Sequence, residues 1–304
     1  MLASGMQIAR KLLPLLVFTA SLKVHGGSKK KLVVSPGVLA RIRGAHTIFV
    51  SNAGEDDNLR NSTGSAYRAM YQALAGWQGI QLVDSPAHAY LVFRVSAEES
   101  IDGYSGSPFP SKGHPTGNVT NEATVTLDLG VLDPGTQKLI WDNQADEDPS
   151  VMGNVYTRGV KSVLAPIEPT KSASHPLNKP ALLPAQLRNP TKLFIQLVPS
   201  PANSAVSGAG TAVSQALLKL GKYTVVGSAN EADVMLLLDV VANTRVPPLN
   251  YMTVQVLDPG SKTFLWSFTL AFANNYKMTA QQQINEIIPY FLKAWNGVIG
   301  KDHI

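Results

Sequence analysis

Cysteine is absent from these 304 residues. That excludes disulfides, thiol nucleophiles, zinc–thiolate sites and a lipid joined through an N-terminal Cys. Charge is sparse at 15% of residues, and 26 Lys and Arg stand against 21 Asp and Glu. No apolar run is long enough to span a bilayer as a helix. The six histidines, His25, His46, His88, His114, His175 and His303, never fall at metal-ligand spacing on one helix face. What is present is an apolar fraction of 44%, that of a globular protein, and a length that suits two ordinary domains.

Residues 1–26 read as an export signal. Arg10 and Lys11 precede an apolar run from Leu12 to Leu22, and the small residues Gly26 and Gly27 follow. This leader holds Arg10, Lys11 and Lys23 and no acid, so without it the balance is 23 basic to 21 acidic residues, a net charge of +2. A nucleic-acid partner would need a basic face on the fold, and none is visible. Residues 27–44 read as a basic, weakly patterned tail. Export without cysteine favours a bacterial periplasm or cell envelope over a eukaryotic secretory route.

The remainder is written twice. Val125 to Trp141 and Met252 to Trp266 each read as strand, Leu-Asp-Pro-Gly turn and return strand ending on tryptophan. The turns are Asp133-Pro134-Gly135 and Asp258-Pro259-Gly260, and the tryptophans are Trp141 and Trp266. Upstream, Gly79 to Ser85 matches Lys222 to Ser228, and Ala89 to Phe93 matches Ala232 to Leu236. Asp258 lies 125 positions after Asp133 whereas Ala232 lies 143 after Ala89, so the first copy holds 18 extra residues before its hairpin. They form a Gly/Ser/Pro-rich stretch, 99–118, expected as a loop.

Periodicity gives each copy the order β-α-β-β-β-β-α. The expectation is an α+β protein of two homologous domains, 45–165 and 191–304, each a mixed sheet of about five strands with two helices. Between them, 166–190 carries six prolines and reads as an extended spacer. Ser62 or Thr63 is expected to cap the first helix. In each hairpin turn the Asp accepts from backbone amides, Pro fixes φ and Gly135 is expected to be left-handed. Phe264, Trp266, Phe268, Leu270 and Phe272 alternate, which predicts one buried aromatic face.

The Ala232 to Leu237 run and the two Leu-Asp-Pro-Gly…Trp hairpins resemble the amino-terminal domain of TolB and the domain shared by curli-secretion and penicillin-binding-protein-activator lipoproteins of the bacterial envelope. The resemblance covers both copies and implies envelope scaffolds or binding domains without catalysis. Two departures are plain: there is no cysteine for a lipid anchor, and no propeller repeats follow. Tyr90 also stands where the second copy has Asp233.

Patterns that carry chemistry are otherwise weak. Asp142, Asp146, Glu147 and Asp148 read as a solvated acidic loop, because their spacing does not fit a calcium loop. Gly103-Tyr-Ser-Gly-Ser107 lacks the second glycine of a nucleophile elbow. Gly208-Ala-Gly210 lacks the Lys-Ser/Thr of a phosphate loop. Asp133 and Asp258 each belong to a turn rather than to a catalytic pair, and the two tryptophans alternate with core positions. The sequence therefore assigns no catalytic residue, cofactor or metal. It points to a non-enzymatic exported protein that binds another envelope protein or a cell-wall component, through an inter-domain groove or the 99–118 loop. The alternative is an envelope hydrolase with an unrecognised Asp/Ser site.

Overall fold

Each repeat opens on a short helix that periodicity does not reveal. Helix α1 (Pro36–Arg43) starts with the Ser35 hydroxyl accepting from the Val38 amide and with Pro at its first position. It buries one side chain, Ile42. Helix α4 (Ala185–Arg188) likewise buries only Leu187. Each ends at an arginine, Arg43 or Arg188, four residues before a strand begins at Thr47 or Lys192. The segments read as a tail and a spacer thus carry matching helices.

In this computed structural model, which describes residues 34–55, 64–105, 120–169, 180–198, 208–241, 250–272 and 278–304, the chain forms two five-stranded mixed sheets with packed helices, an α+β fold. The first repeat runs β1 (Thr47–Glu55), α2 (Ser65–Ala75), β2 (Gln81–Val83), β3 (Leu91–Ser105), β4 (Thr120–Leu132), β5 (Leu139–Glu147) and α3 (Val155–Leu164). The second runs β6 (Lys192–Leu197), α5 (Ala209–Lys219), β7 (Thr224–Val225), β8 (Val234–Val241), β9 (Asn250–Leu257), β10 (Phe264–Phe272) and α6 (Ala280–Val298). The strand orders are β2-β1-β3-β4-β5 and β7-β6-β8-β9-β10. Registers correspond as well: Thr47 faces Gln81 and Ile48 faces Leu91, as Lys192 faces Thr224 and Leu193 faces Val234.

The helices obey their stripes. In α3 the buried residues Tyr156, Val160, Val163 and Leu164 recur at helical spacing, and the Asn154 side chain caps the Tyr156 and Thr157 amides. Helix α6 begins with a capping box between Thr279 and Gln282. It buries Ile284, Ile287, Phe291, Trp295 and Val298. The Trp295 indole N–H donates to the Tyr223 hydroxyl at 2.9 Å.

Several expectations are corrected. Ser62 and Thr63 lie outside the described residues, and the N-cap of α2 is Gly64 at φ 75°. The 99–118 stretch is not a loop throughout: β3 and β4 stay paired out to Ser105 opposite Thr120, and 106–119 lie outside the described residues. Residues 99–105 thus extend strand β3. Asp142, Asp146 and Glu147 sit on strand β5 rather than in a loop, because the ladder with β4 continues to Val125 opposite Glu147. Of the proline-rich segment, 180–190 is not an extended spacer: Ala181, Leu183 and Leu187 are buried.

Strand β10 departs most from its pattern. Leu265, Trp266 and Ser267 are all buried, so both faces are covered rather than one. The cause is β1. Strand β2 pairs only with Thr47, Ile48 and Phe49, and past its end β10 lies beside β1. The Ser51 hydroxyl donates to the Phe264 carbonyl at 2.6 Å. Further along, a Cβ at Gly54 would stand 3.3 Å from the Ser267 hydroxyl. Residues 48–52 of β1 are buried on both faces in consequence. Val33–Ile304 accordingly behaves as one compact unit.

Candidate functional site

The two Leu-Asp-Pro-Gly turns share one geometry. Asp133 Oδ1 accepts from the Gly135 and Thr136 amides and the Thr136 hydroxyl, and Asp258 Oδ1 accepts from the Ser261 amide and hydroxyl. The Asp133 amide donates to the Lys138 carbonyl, and the Asp258 amide to that of Thr263. Gly135 and Gly260 are not left-handed. That conformation falls on Gln137 at φ 56° and Lys262 at φ 59°, because a loop of helical sense needs one left-handed residue at its end to rejoin the sheet. A side chain there costs about 1 kcal/mol, so Lys262→Gly should raise stability by about 0.5–1 kcal/mol in urea unfolding. Gln137→Gly should gain less, since the Gln137 side-chain amide also donates to the Thr263 hydroxyl at 2.7 Å.

Each turn is braced by the helix that opens its repeat. The Arg41 guanidinium pairs with Asp133. The Thr136 amide, then Arg41, hold the Asp133 carboxyl below its ordinary pKa. At the corresponding place in α4, the Gln186 side-chain amide donates to Asp258 Oδ2 at 3.0 Å and to the Ser85 hydroxyl at 3.3 Å. Gln186 thereby ties the second hairpin to the first repeat.

The seam between repeats is filled. The Trp266 ring meets the Tyr67 ring of α2 edge-on at 5.1 Å. The Tyr67 hydroxyl donates to the Leu182 carbonyl, and burial pushes its pKa well up. A Cβ at Gly64 would lie 2.8 Å from Ile304 and 3.0 Å from Trp266, so glycine makes room there. Residues 181–188 pair with the C-terminal residues: Ile304 donates to Ala181, Leu183 to Asp302 and Gly300 to Leu187. Arg188 pairs with Asp84 of the first repeat at 2.8 Å. Trp141, in the first hairpin, is 8% exposed, and its indole nitrogen has no partner among the described residues.

Two open depressions lie at the surface. One, of about 490 Å³, runs beside the seam and is lined by Thr47, Gln81, Leu82, Val83, Asp84, His88 and Leu182. The other, of about 340 Å³, is lined by Asn230, Ala232, Asp233, Asp258, Pro259 and Gly260. Their carboxylates are engaged in holding the fold. Asp84 holds Arg188, Asp258 holds its turn, and Asp233 accepts from the Thr191 amide, the Thr191 hydroxyl and the Lys192 amide. Burial raises the Asp233 pKa, but those donors and the Lys192 charge outweigh it and leave the group more acidic than usual. Tyr90, at the matching position, is half exposed, and the Thr47 hydroxyl accepts from its amide instead. Gly208 and Gly210 stand at the start of α5, and no side chain caps that helix. No group of three or more metal-ligating side chains occurs among the described residues.

Sequence reasoning missed one electrostatic feature. Pleating places Arg94, Glu98, Asp128, Asp142 and Asp146 on one face of the first sheet, through the registers Arg94–Gly130–Asp142, Ser96–Asp128–Gln144 and Glu98–Thr126–Asp146. Burial, then Glu98, Asp146 and Asp142, push Asp128 up to about 6, against a smaller opposing effect of Arg94. An acid raised in the fold stabilises it below its unfolded value near 4 and loses that contribution as pH rises through about 6. Discounted for the partial exposure of Asp128, the effect is about 1 kcal/mol. Asp128→Asn should therefore melt a few degrees higher than the parent at pH 8 and level with it at pH 4 (about 2–4 °C per kcal/mol). Equal destabilisation at both pH values would contradict this.

No family model matches the chain, and no curated protein does. Among solved structures, a PelC dodecamer from Paraburkholderia phytofirmans is 13% identical, over 38% of this chain and 94% of that one, with a TM-score of 0.29. A putative neuraminyllactose-binding hemagglutinin homolog from Helicobacter pylori is 13% identical, over 33% of this chain and 60% of that one, with a TM-score of 0.25. No helix among the described residues is long and apolar enough to cross a membrane.

Proposed function

We propose that this chain is a non-enzymatic exported protein of the bacterial cell envelope that binds another envelope component. The contact would be made by the 99–118 segment and by the depression beside the seam. The observation that carries the reading is how the carboxylates at the turns and the two depressions are used. Asp84, Asp133, Asp233 and Asp258 each hold a turn, a strand start or the seam, and catalysis needs a group free to move a proton or attack. The β3–β4 ladder, which runs on to Ser105 opposite Thr120, gives recognition a rigid support instead. The test is photo-crosslinking in cells from positions 99 and 88, with fractionation of the envelope. The expected result is one recurrent adduct in the envelope fraction, lost when 106–119 are deleted from the otherwise folded chain. A chain found wholly in the cytoplasm, or no adduct from either position, would overturn the proposal.

A further inference from the structure

The seam is an interface used once where the fold offers it twice. In the first repeat β2 is short, the edge of β1 beyond it is open, and β10 fills that edge. In the second repeat β7 pairs only with Lys192 and Leu193, and among the described residues the corresponding edge of β6 from Phe194 to Leu197 is unpaired. No described strand other than β7 and β8 pairs with β6. Phe194, Ile195 and Leu197 are half-buried there, whereas Phe49, Val50 and Asn52 at the matching places are at most 2% exposed. Above that edge, Gly210 and Ser214 occupy the places of Tyr67 and Tyr71.

The strand that would fill this edge is also present and free. Strand β5 corresponds to β10, with Leu139 at the place of Phe264 and Trp141 at that of Trp266. It ends its own sheet. Leu139 is 50% exposed.

We infer that a second copy of this chain docks its β5 edge onto β6, repeating between molecules the contact that β10 makes with β1 within one. The contact is heterologous: donor and acceptor surfaces differ and every molecule carries both, so copies join head to tail. It is weaker than the internal one. Asp142 replaces the buried Ser267, and the internal pair of Gln137 with Thr263 becomes Lys262 against Lys138, two like charges. Association is therefore reversible and depends on concentration.

Sedimentation velocity of the purified full chain and three variants tests this. Leu139→Asp spoils the donor edge and Gln196→Asp the acceptor, each at a partly exposed position, with circular dichroism to verify the fold. Each variant alone should be monomeric where the parent associates, and an equimolar mixture should form a 1:1 dimer, because each supplies the surface the other lacks. Lys138→Glu, set against Lys262, should tighten association several-fold. A parent and a Lys138→Glu variant that both stay monomeric up to about 1 mM would overturn the inference. So would association that survives both single substitutions.

Discussion

Replacing Trp266 with alanine should cost about 3–5 kcal/mol and lower the melting temperature by about 10 °C. The ring is 2% exposed, and its packing belongs to both repeats. It meets Tyr67 of α2 at 5.1 Å, and the backbone before it receives the Ser51 hydroxyl. Removing it opens a void that rigid strands on both sides cannot close. The loss should therefore appear in both repeats. Amide exchange should accelerate in β1 and α2 as well as in β10, whereas a defect local to the second repeat would leave β1 protected.

Gly159→Val should cost about 3 kcal/mol, for a different reason. A Cβ at Gly159 would stand 2.4 Å from a Leu127 methyl and 3.3 Å from the Glu147 side chain. Helix α3 thus approaches β4 as closely as glycine permits. Leu127 is fully buried and cannot step aside without moving its neighbours, the condition under which overpacking is costly. Gly297→Ala is the contrasting substitution. Gly297 lies in α6 with nothing within 4 Å of its added Cβ, so alanine should stabilise by about 0.5–1 kcal/mol. Urea midpoints for the two variants should move in opposite directions.

How much of this was legible follows from what a sequence pattern encodes. Strand and helix order came through because β8, α3 and α6 bury stripes at their own period, and because duplication shows each element twice. Helices α1 and α4 were not legible, since one buried residue apiece, Ile42 or Leu187, makes no period. The seam was illegible for a related reason. Alternation along β10 reports one buried face, and the other is buried by β1, more than 200 residues earlier in the chain. The left-handed Gln137 and Lys262 show a further limit. Proline and glycine announce a turn, but hydrogen bonding across its mouth decides which residue takes the strained conformation. At the candidate site, the sequence placed Asp133 and Asp258 in turns. It was silent on Arg41 and Gln186, which brace them from elements it did not contain, and on Asp128, whose setting depends on the register of three strands.

Two copies of one module are fused through a shared core and should unfold as a single cooperative unit. Calorimetry of the parent chain tests it most directly. The expected result is one transition whose calorimetric and van't Hoff enthalpies agree, moving as a whole to lower temperature in Trp266→Ala. Two separable transitions, of which that substitution shifts only one, would contradict it.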